Sequence, residues 1–328
     1  MTGIFTSDAL AILELDDSKI YDIICDTNKL RERRHGRAVS LCWIVNAKSG
    51  ACDQDCAFCS QSSRSEAAID TYGMIDPERI LENACRAADA GATKFSIVTS
   101  GGAVERGPDL DKIIRAVNMN LDETGLEVCA SLGCISFQVL EDLRRAGVTR
   151  YHHNMETAQS FWPNICTTRE YEESRRVIRD AKQLNMEVCS GGIFGLGESL
   201  AQRAELLEEI RNLKVNSVAI NFLSPIPGTP LEDLKELTPL DCIRIIAATR
   251  MMMPKHELRI CGGRDQNLRE LQPMLFAAGA SGIMIGDYLT TKGRNFTKDL
   301  TLIADMGLLP ETIPRNRITV TADDPIKE

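Results

Sequence analysis

Eight short runs rich in β-branched and aromatic residues alternate with amphipathic helical stretches, and this alternation constrains the fold more than any other feature of the chain. The runs are 38–45, 94–100, 126–133, 150–156, 186–193, 217–223, 257–263 and 281–286. Between them lie stretches such as PERILENACRAADAG and ESRRVIRDAKQLN, whose apolar residues recur at helical spacing. Eight strands that are each followed by a helix predict a closed parallel (β/α)8 barrel of the TIM type, an α/β fold.

The segments outside this repeat divide the chain into three parts. Residues 1–38 carry helical apolar spacing and predict a short helical N-terminal extension across the outside of the barrel. Residues 39–300 form the barrel itself, and residues 301–328 are expected to be a C-terminal tail that packs on it. No long linker or low-complexity segment interrupts the repeat, so we expect one main domain.

Charge and hydropathy narrow the classes of partner. The chain has 328 residues and a formal net charge of −9, whereas nucleic acids and anionic membranes call for a basic stripe. No apolar run reaches the length of a membrane span, and MTGIFTSDALAILELDDSKI lacks a basic, cleavable leader. We therefore expect a cytoplasmic protein with neither a nucleic-acid nor a membrane partner. In that reducing compartment, clustered cysteines indicate metal binding or catalysis rather than disulfides.

The segment SGACDQDCAFCSQSS (49–63) places three cysteines, Cys52, Cys56 and Cys59, directly after the first predicted strand. This is the mouth of the barrel where active sites of the fold collect. Three thiolates do not complete a zinc site, but they can hold three irons of a [4Fe–4S] cube and leave the fourth iron open for a small molecule. Five scattered cysteines are interpreted instead as small buried hydrophobic residues: Cys25, Cys85, Cys134, Cys166 and Cys242.

The cysteine spacing, with Phe58 just before the last cysteine, resembles the radical S-adenosylmethionine (SAM) superfamily. In that superfamily the open iron chelates the amino and carboxylate groups of SAM, and an electron from the cluster gives a 5′-deoxyadenosyl radical. The resemblance implies a [4Fe–4S] cluster, SAM, and an electron donor such as flavodoxin or ferredoxin. A closed barrel suits this chemistry because it excludes water and fixes the attacked carbon near the radical.

The flanking segments narrow the resemblance. From about residue 38 to about residue 310, the chain resembles the biotin synthase family in the order of its motifs: GACDQDCAFCSQSSR, YHHNMET, TTREYEE, VCSGGIFGLGES, INFLSPIPGTPLE, RMMMP, GGRDQNL and GDYLTTKG. The resemblance implies a homodimeric sulfurtransferase that inserts sulfur between C6 and C9 of dethiobiotin. The alternative is a related radical SAM mutase or maturase that inserts no sulfur. An iron–sulfur scaffold and a zinc-binding structural protein are further alternatives, distinguished by formation of 5′-deoxyadenosine and by colour.

Matching the chain to this family position by position implies roles around the mouth. Phe58 and Ile193 would contact the adenine of SAM. Ser100, Gly101 and Gly102, which follow the second strand, would receive the methionyl amine, since glycine lets a backbone carbonyl approach closely.

The fourth and sixth strands carry the implied sugar and substrate contacts. Asn154 and Glu156, on the fourth strand, would meet the ribose, and Asn154 and Asn221 would meet the ureido ring of dethiobiotin. The chain departs from the family in having Glu156 where Asp is usual and His152 where Asn is usual. The alternative for Asn154 and Asn221 is ordinary hydrogen bonding at a strand end.

The family also carries a second, [2Fe–2S] cluster in the lumen, with one cysteine on each of the second, third and fifth strands and an arginine on the seventh. This chain keeps Cys129, Cys189 and Arg259, but the second-strand position is Ser96. A hydroxyl is a poor ligand for an iron–sulfur cluster compared with a thiolate.

In our hypothesis, two further thiols compensate for the thiolate that is missing at position 96. Cys42 lies on the first strand, and Cys261 lies two residues beyond Arg259, so strand alternation places both in the lumen. With Cys129 and Cys189, they supply four soft ligands from four strands, which suits a cubane better than a two-iron cluster. We therefore favour an auxiliary four-iron cluster that bears a sulfide for delivery to the substrate. The alternative is a retained [2Fe–2S] cluster, with Cys42 and Cys261 as core filler.

Overall fold

The computed structural model describes residues 3–312, and it confirms the predicted barrel. The barrel strands are β1 (Ala38–Lys48), β2 (Lys94–Thr99), β3 (Glu127–Ser131), β4 (Arg150–His152), β5 (Glu187–Phe194), β6 (Ser217–Phe222), β7 (Glu257–Ile260) and β8 (Gly282–Met284). Each strand pairs in parallel with the next, and β8 pairs with β1, which closes the ring.

Helices follow every barrel strand and form the outer layer. They are α3 (Pro77–Asp89), α4 (Pro108–Glu123), α5 (Phe137–Arg145), α6 (Tyr171–Gln183), α7 (Leu200–Asn212), α8 (Pro239–Met252), α9 (Arg264–Leu268), α10 (Met274–Ala277) and α11 (Phe296–Asp305). Side-chain caps mark where several begin. Ser199 and Thr238 form capping boxes before α7 and α8, and Ser136 caps α5.

Two helices, α1 (Thr6–Leu13) and α2 (Ile20–His35), precede β1 and pack on the outer layer. The buried face of α2 carries Ile20, Ile24, Thr27 and Arg31, which recur at helical spacing. Cys25 lies off that face and is exposed. The interpretation of Cys25 as a buried hydrophobic residue is therefore wrong.

The C-terminal part of the described chain returns to the barrel. Helix α11 spans the predicted boundary at residue 300, and a short strand, β9 (Leu309–Pro310), pairs with the start of β1. The rest of the predicted tail, from residue 313 to residue 328, lies outside the described residues. Within residues 3–312, no helix is both long and apolar enough to cross a membrane.

β4 and β7 end furthest before their predicted ends, at His152 and Ile260. Beyond them, Glu156 and Gly263 adopt φ of +66° and +74°, which extended backbone does not have. The prediction that Asn154 and Glu156 lie on the fourth strand is therefore wrong. They lie in the loop that follows it.

The apolar core lies between the barrel and its helices, not inside the barrel. The lumen holds a small separate cluster of Cys189, Ala219 and Cys261, with Met284 packed against it. Barrel interiors of this type are usually filled by large branched side chains. Here thiols, small residues and charged side chains share the interior with a cavity.

Candidate functional site

A cavity of about 420 Å³ occupies the lumen and the carboxyl-end mouth of the barrel. The sequence-predicted residues that line it are Phe58, Asn154, Glu156, Ile193, Asn221, Arg259, Cys42, Cys129, Cys189 and Cys261. The other predicted residues lie on two loops, 49–63 after β1 and 100–102 after β2. The structure thus brings residues from distant parts of the chain around one space.

The three-cysteine loop folds back on itself through backbone hydrogen bonds. The Cys52 N–H donates to the Gln61 carbonyl at 2.9 Å, and the Ser63 N–H donates to the Cys52 carbonyl at 2.8 Å. The Cys59 N–H donates to the Cys56 carbonyl at 3.0 Å, which closes a tight turn. The three cysteines therefore share one closed loop rather than an extended segment.

The thiols of this loop are free, and the surroundings of Cys56 and Cys59 favour the protonated form. Burial raises the pKa of Cys59 to about 11. A hydrogen bond with the Cys166 thiol, followed by burial, raises the pKa of Cys56. Metal ligation requires the thiolate, so a bound cation would have to replace these protons.

Neither set of predicted thiols is gathered around a single point. Among residues 3–312, no group of three or more His, Cys, Asp or Glu side chains is arranged to hold one metal ion. A cubane has a different requirement, because each thiolate binds its own iron at a separate corner.

The loop after β2 packs directly on the cysteine loop. The Gly102 N–H donates to Asp53 Oδ1 at 2.9 Å, and a Cβ at position 102 would lie 2.8 Å from Gln54 Nε2. A side chain at this position would therefore displace the flexible amide end of Gln54. The Gly102 carbonyl already accepts the Cys134 N–H at 2.8 Å, which leaves one lone pair for an amine.

The side-chain amides of Asn154 and Asn221, at the mouth, differ in how many of their polar atoms have hydrogen-bond partners. Asn154 Nδ2 donates to Glu156 Oε2 at 3.2 Å, and burial raises the pKa of Glu156. Asn221 Nδ2 donates to the Gly192 carbonyl at 3.2 Å, and its Oδ1 accepts the Gly262 N–H at 2.9 Å. Asn221 thus makes the strand-end hydrogen bonds of the alternative interpretation, with one N–H and one lone pair left for a ligand.

Four buried cysteines face the lumen from four sides. Cys42 lies on β1, Cys129 on β3, Cys189 on β5, and Cys261 immediately beyond β7. Ser96, the residue that replaces the family's second-strand cysteine, is the register partner of Cys129 and also lines the cavity. Burial raises the pKa of Cys42, Cys129 and Cys261.

Cys189 is electrostatically different from the other three. Burial alone would raise its pKa, but the hydrogen-bonded His152 imidazole and the guanidinium groups of Arg259 and Arg150 outweigh it and bring the pKa to about 6. In turn, burial would lower the pKa of His152, and the Cys189 thiolate raises it. The surroundings of Cys189 therefore favour the thiolate, which is the form that ligates a metal.

Sequence reasoning assigned no role to Arg150 or His152, although both line the cavity. Positions 150, 152, 154 and 156 alternate, and this spacing of two was the signal that could have placed them on the lumenal side. Sequence reasoning also assigned no role to the segment 288–292, which lines the mouth. Within it, Thr290 Oγ1 shares a hydrogen bond of 2.9 Å with Ser60 Oγ of the cysteine loop.

The bottom of the lumen is closed by an ionic floor, made of Lys94, Arg150, Glu257 and Arg259. Glu257 pairs with Arg259, with Arg150 at 3.4 Å and with Lys94 at 3.6 Å. Burial would raise the pKa of Glu257, but the three cations outweigh it and hold that pKa well below its usual range. Arg150 also pairs with Glu127 at 3.3 Å and with Glu187, and Lys94 also pairs with Glu311 at 3.5 Å. Among the described residues, Arg259 is therefore the cation of the floor that has no second carboxylate, and it can face an anionic group above it.

Three predicted ligand-contact residues carry buried polar atoms without a hydrogen-bond partner among the described residues: Ser100 Oγ, Asn154 Oδ1 and Arg259 Nε. Buried polar atoms in folded proteins are almost always paired. A polar cofactor and an anionic cluster at these positions would satisfy them. The donor set therefore fits SAM at the mouth and an iron–sulfur cluster in the lumen.

Comparison with known proteins agrees with this geometry. Residues 47–210 match the family model "Radical SAM superfamily", and residues 219–309 match "Biotin and Thiamin Synthesis associated domain". The chain is 46% identical over 301 residues to a biotin synthase of Geobacter sulfurreducens, with 92% of each chain covered. It is 44% identical over 302 residues to a biotin synthase of Geotalea uraniireducens, again with 92% of each chain covered.

Solved structures show the same fold at low sequence identity. A methylornithine synthase superposes with a TM-score of 0.82 at 21% identity, covering 95% of both chains. A maturase of the [FeFe]-hydrogenase superposes with a TM-score of 0.81 at 13% identity, covering 94% of this chain and 72% of the other. At these identities the likeness establishes the fold alone.

Proposed function

The chain belongs to the biotin synthase family of radical SAM enzymes, and on this premise we propose that it inserts sulfur between C6 and C9 of dethiobiotin to form biotin. The observation that carries the proposal is the lumen, where four thiols from different strands lie below the loops implied to hold SAM. An enzyme that only made a radical would have no use for the lower thiols. A sulfur-inserting enzyme needs a sulfur source within reach of the carbon that the radical attacks.

The upper part of the site would bind the radical-generating pair. Cys52, Cys56 and Cys59 would hold a [4Fe–4S] cube, which when bound supplies the electron that cleaves SAM to a 5′-deoxyadenosyl radical. Ser100 Oγ and Asn154 Oδ1 lack partners and offer polar contacts to the amine and the ribose. These contacts would hold the 5′ carbon over the lumen and away from water.

The middle of the lumen would bind dethiobiotin. Asn154 and Asn221 retain hydrogen-bonding capacity for a ureido ring, which carries both N–H donors and a carbonyl acceptor. Lys292 lines the mouth and offers positive charge to a carboxylate tail, whereas Arg294, which also lines it, already pairs with Asp265 and Asp299. The substrate would then lie with its ring inward and its acid end at the rim.

The lower part of the lumen would hold the auxiliary cluster that provides sulfur. Cys42, Cys129, Cys189 and Cys261 surround it as four thiol ligands, so we propose a four-iron cluster rather than [2Fe–2S]. Arg259, with its unpartnered Nε, would donate to a cluster sulfur and balance its negative charge.

Product analysis tests the function. Anaerobic enzyme reconstituted with iron and heavy-isotope sulfide is incubated with SAM, reductant and dethiobiotin, and products are identified by mass spectrometry. We expect 5′-deoxyadenosine together with biotin that carries the heavy sulfur. Formation of 5′-deoxyadenosine without biotin would favour the mutase or maturase alternative, and unlabelled biotin would exclude an enzyme-bound sulfur source.

We extend the proposal to the partners that the family implies, a flavodoxin- or ferredoxin-type electron donor and a second copy of the chain. Sedimentation of the anaerobic protein should give the mass of a dimer, and a reduced flavodoxin should support 5′-deoxyadenosine formation. A monomer that turns over at the full rate would contradict the dimer.

A further inference from the structure

Cys166, which the proposed reaction does not use, lies in contact with one of the ligands of the radical-generating cube. The two thiols lie close enough for each to perturb the pKa of the other. Cys166 itself is buried, whereas Cys56 is only half-buried. A thiol that touches a cluster ligand but belongs to another part of the chain requires an explanation beyond packing.

The two cysteines are held opposite each other by contacts on both sides. On one side the Ala57 N–H donates to the Ile165 carbonyl at 2.9 Å. On the other, Asp55 Oδ1 accepts the Thr167 N–H at 2.9 Å. The segments therefore run antiparallel, and Cys56 and Cys166 occupy facing positions. Each cysteine lies between these two contacts, and a disulfide requires a Cα separation of about 4.4–6.8 Å.

The facing arrangement is fastened by side chains as well. Asp55 Oδ1 also accepts the Thr168 N–H at 3.2 Å, and the Thr168 hydroxyl meets Gln54 Oε1 at 3.0 Å. The Asp55 N–H donates to Thr168 Oγ1 at 3.0 Å. None of these bonds uses a cysteine side chain, so the arrangement does not depend on the cube.

We propose that Cys166 is the redox partner of Cys56, and that an oxidant joins the two thiols in a disulfide once the loop has lost its iron. One of the two cysteines reacts with the oxidant as its thiolate, and the other then closes the bond. Two S–H bonds break and one S–S bond forms. Two electrons and two protons pass to a two-electron thiol oxidant, such as the azo group of diamide, which becomes a hydrazine.

The disulfide protects the empty loop. An unprotected cysteine is carried by strong oxidants to sulfinic and sulfonic acids, which thiol reductants do not reverse. A disulfide is reversed by a dithiol, after which Cys56 is again available to bind iron. The proposal depends on Cys56 as a cluster ligand but not on sulfur insertion.

Trypsin separates the two cysteines cleanly, which makes the test direct. Cys56 lies in the peptide 49–64 and Cys166 in the peptide 151–169, where it is the only cysteine. The full-length protein is stripped of iron with ferricyanide and a chelator, treated with diamide, alkylated and digested. We expect a reducible cross-link between 49–64 and 151–169.

Two variants serve as controls. Cys166→Ser should lose the cross-link when it is treated with diamide. When the same variant is treated with peroxide, the cysteines of 49–64 should be oxidised irreversibly or form disulfides with one another. Cys134→Ser, which removes a neighbouring buried thiol, should keep the cross-link. The proposal is overturned if wild-type 49–64 links only within itself, links to another peptide or stays reduced. It is equally overturned if Cys166→Ser oxidises as wild type does. Biotin formation by the loaded enzyme is scored separately, so either proposal can fail alone.

Discussion

Replacing Glu257 with Gln should destabilise the barrel from its ionic floor. The carboxylate is shared by Lys94, Arg150 and Arg259, whose side chains are 7%, 6% and 4% exposed. Arg150 and Lys94 keep second carboxylates in Glu187 and Glu311, whereas Arg259 would be left without one among the described residues. Removing one partner of a buried ion pair costs about 3–5 kcal/mol, because it leaves charge buried without compensation. The neutral amide keeps the shape of the side chain, so the change isolates the charge.

This free energy converts to a shift in melting temperature. An unfolding entropy of about 2.1 cal/mol/K per residue gives about 0.7 kcal/mol/K for the 328-residue chain. A loss of about 3–5 kcal/mol then lowers Tm by about 4–7 °C. Circular dichroism of anaerobic protein at matched iron content and one scan rate measures it. Glu78→Gln, which removes an exposed ion pair with Arg115, is the matched control and should cost about 0–1 kcal/mol.

The pH dependence of the difference gives a second check. The pKa of Glu257 is held below its usual range in the folded state, so its stabilisation is complete above the unfolded pKa of about 4.3. That stabilisation declines as the pH falls further. The gap between variant and wild type should therefore narrow between about pH 5 and pH 3. A Tm unchanged at neutral pH, or a gap that widens in acid, would refute the role of the floor.

Three further changes test other parts of the site. Cys261→Ala should lower the iron content per chain. The control Cys242→Ala, which removes a buried thiol of α8, should leave the iron content unchanged. Equal iron in both variants would count against Cys261 as a ligand. Asn154→Ala, which removes about 1–3 kcal/mol of hydrogen bonding, should lower kcat/KM by about 5- to 150-fold with the circular dichroism spectrum unchanged, and a wild-type kcat/KM would contradict the assignment. Gly133→Ala should speed iron loss, because its Cβ would lie 2.1 Å from the Gly102 carbonyl oxygen. The clash would displace the loop after β2, which packs on the cysteine loop. The control Gly125→Ala, also at positive φ but with open space, should not speed iron loss, and similar loss rates in both would refute the packing argument.

The alternation of residues along strands predicted the barrel and the lumenal thiols, since period-two spacing survives from sequence into structure. The same spacing in 150–156 was not used to place Arg150 and His152 in the lumen, where they lower the pKa of Cys189. The end of β4 could not be predicted, because the positive φ of Glu156 depends on its surroundings and not on its residue type. The proximity of Cys56 and Cys166 could not be predicted from the sequence either, since it arises from a tertiary contact between two loops.

The proposed four-iron auxiliary cluster would use four lumenal thiols, of which Cys42 and Cys261 would be the ligands beyond the family pattern. Iron and acid-labile sulfide counted on anaerobically purified protein test it most directly. Two four-iron clusters predict about eight irons per chain, with at least as many sulfides. A count of about six irons would instead indicate one cube with a two-iron cluster and would contradict the account.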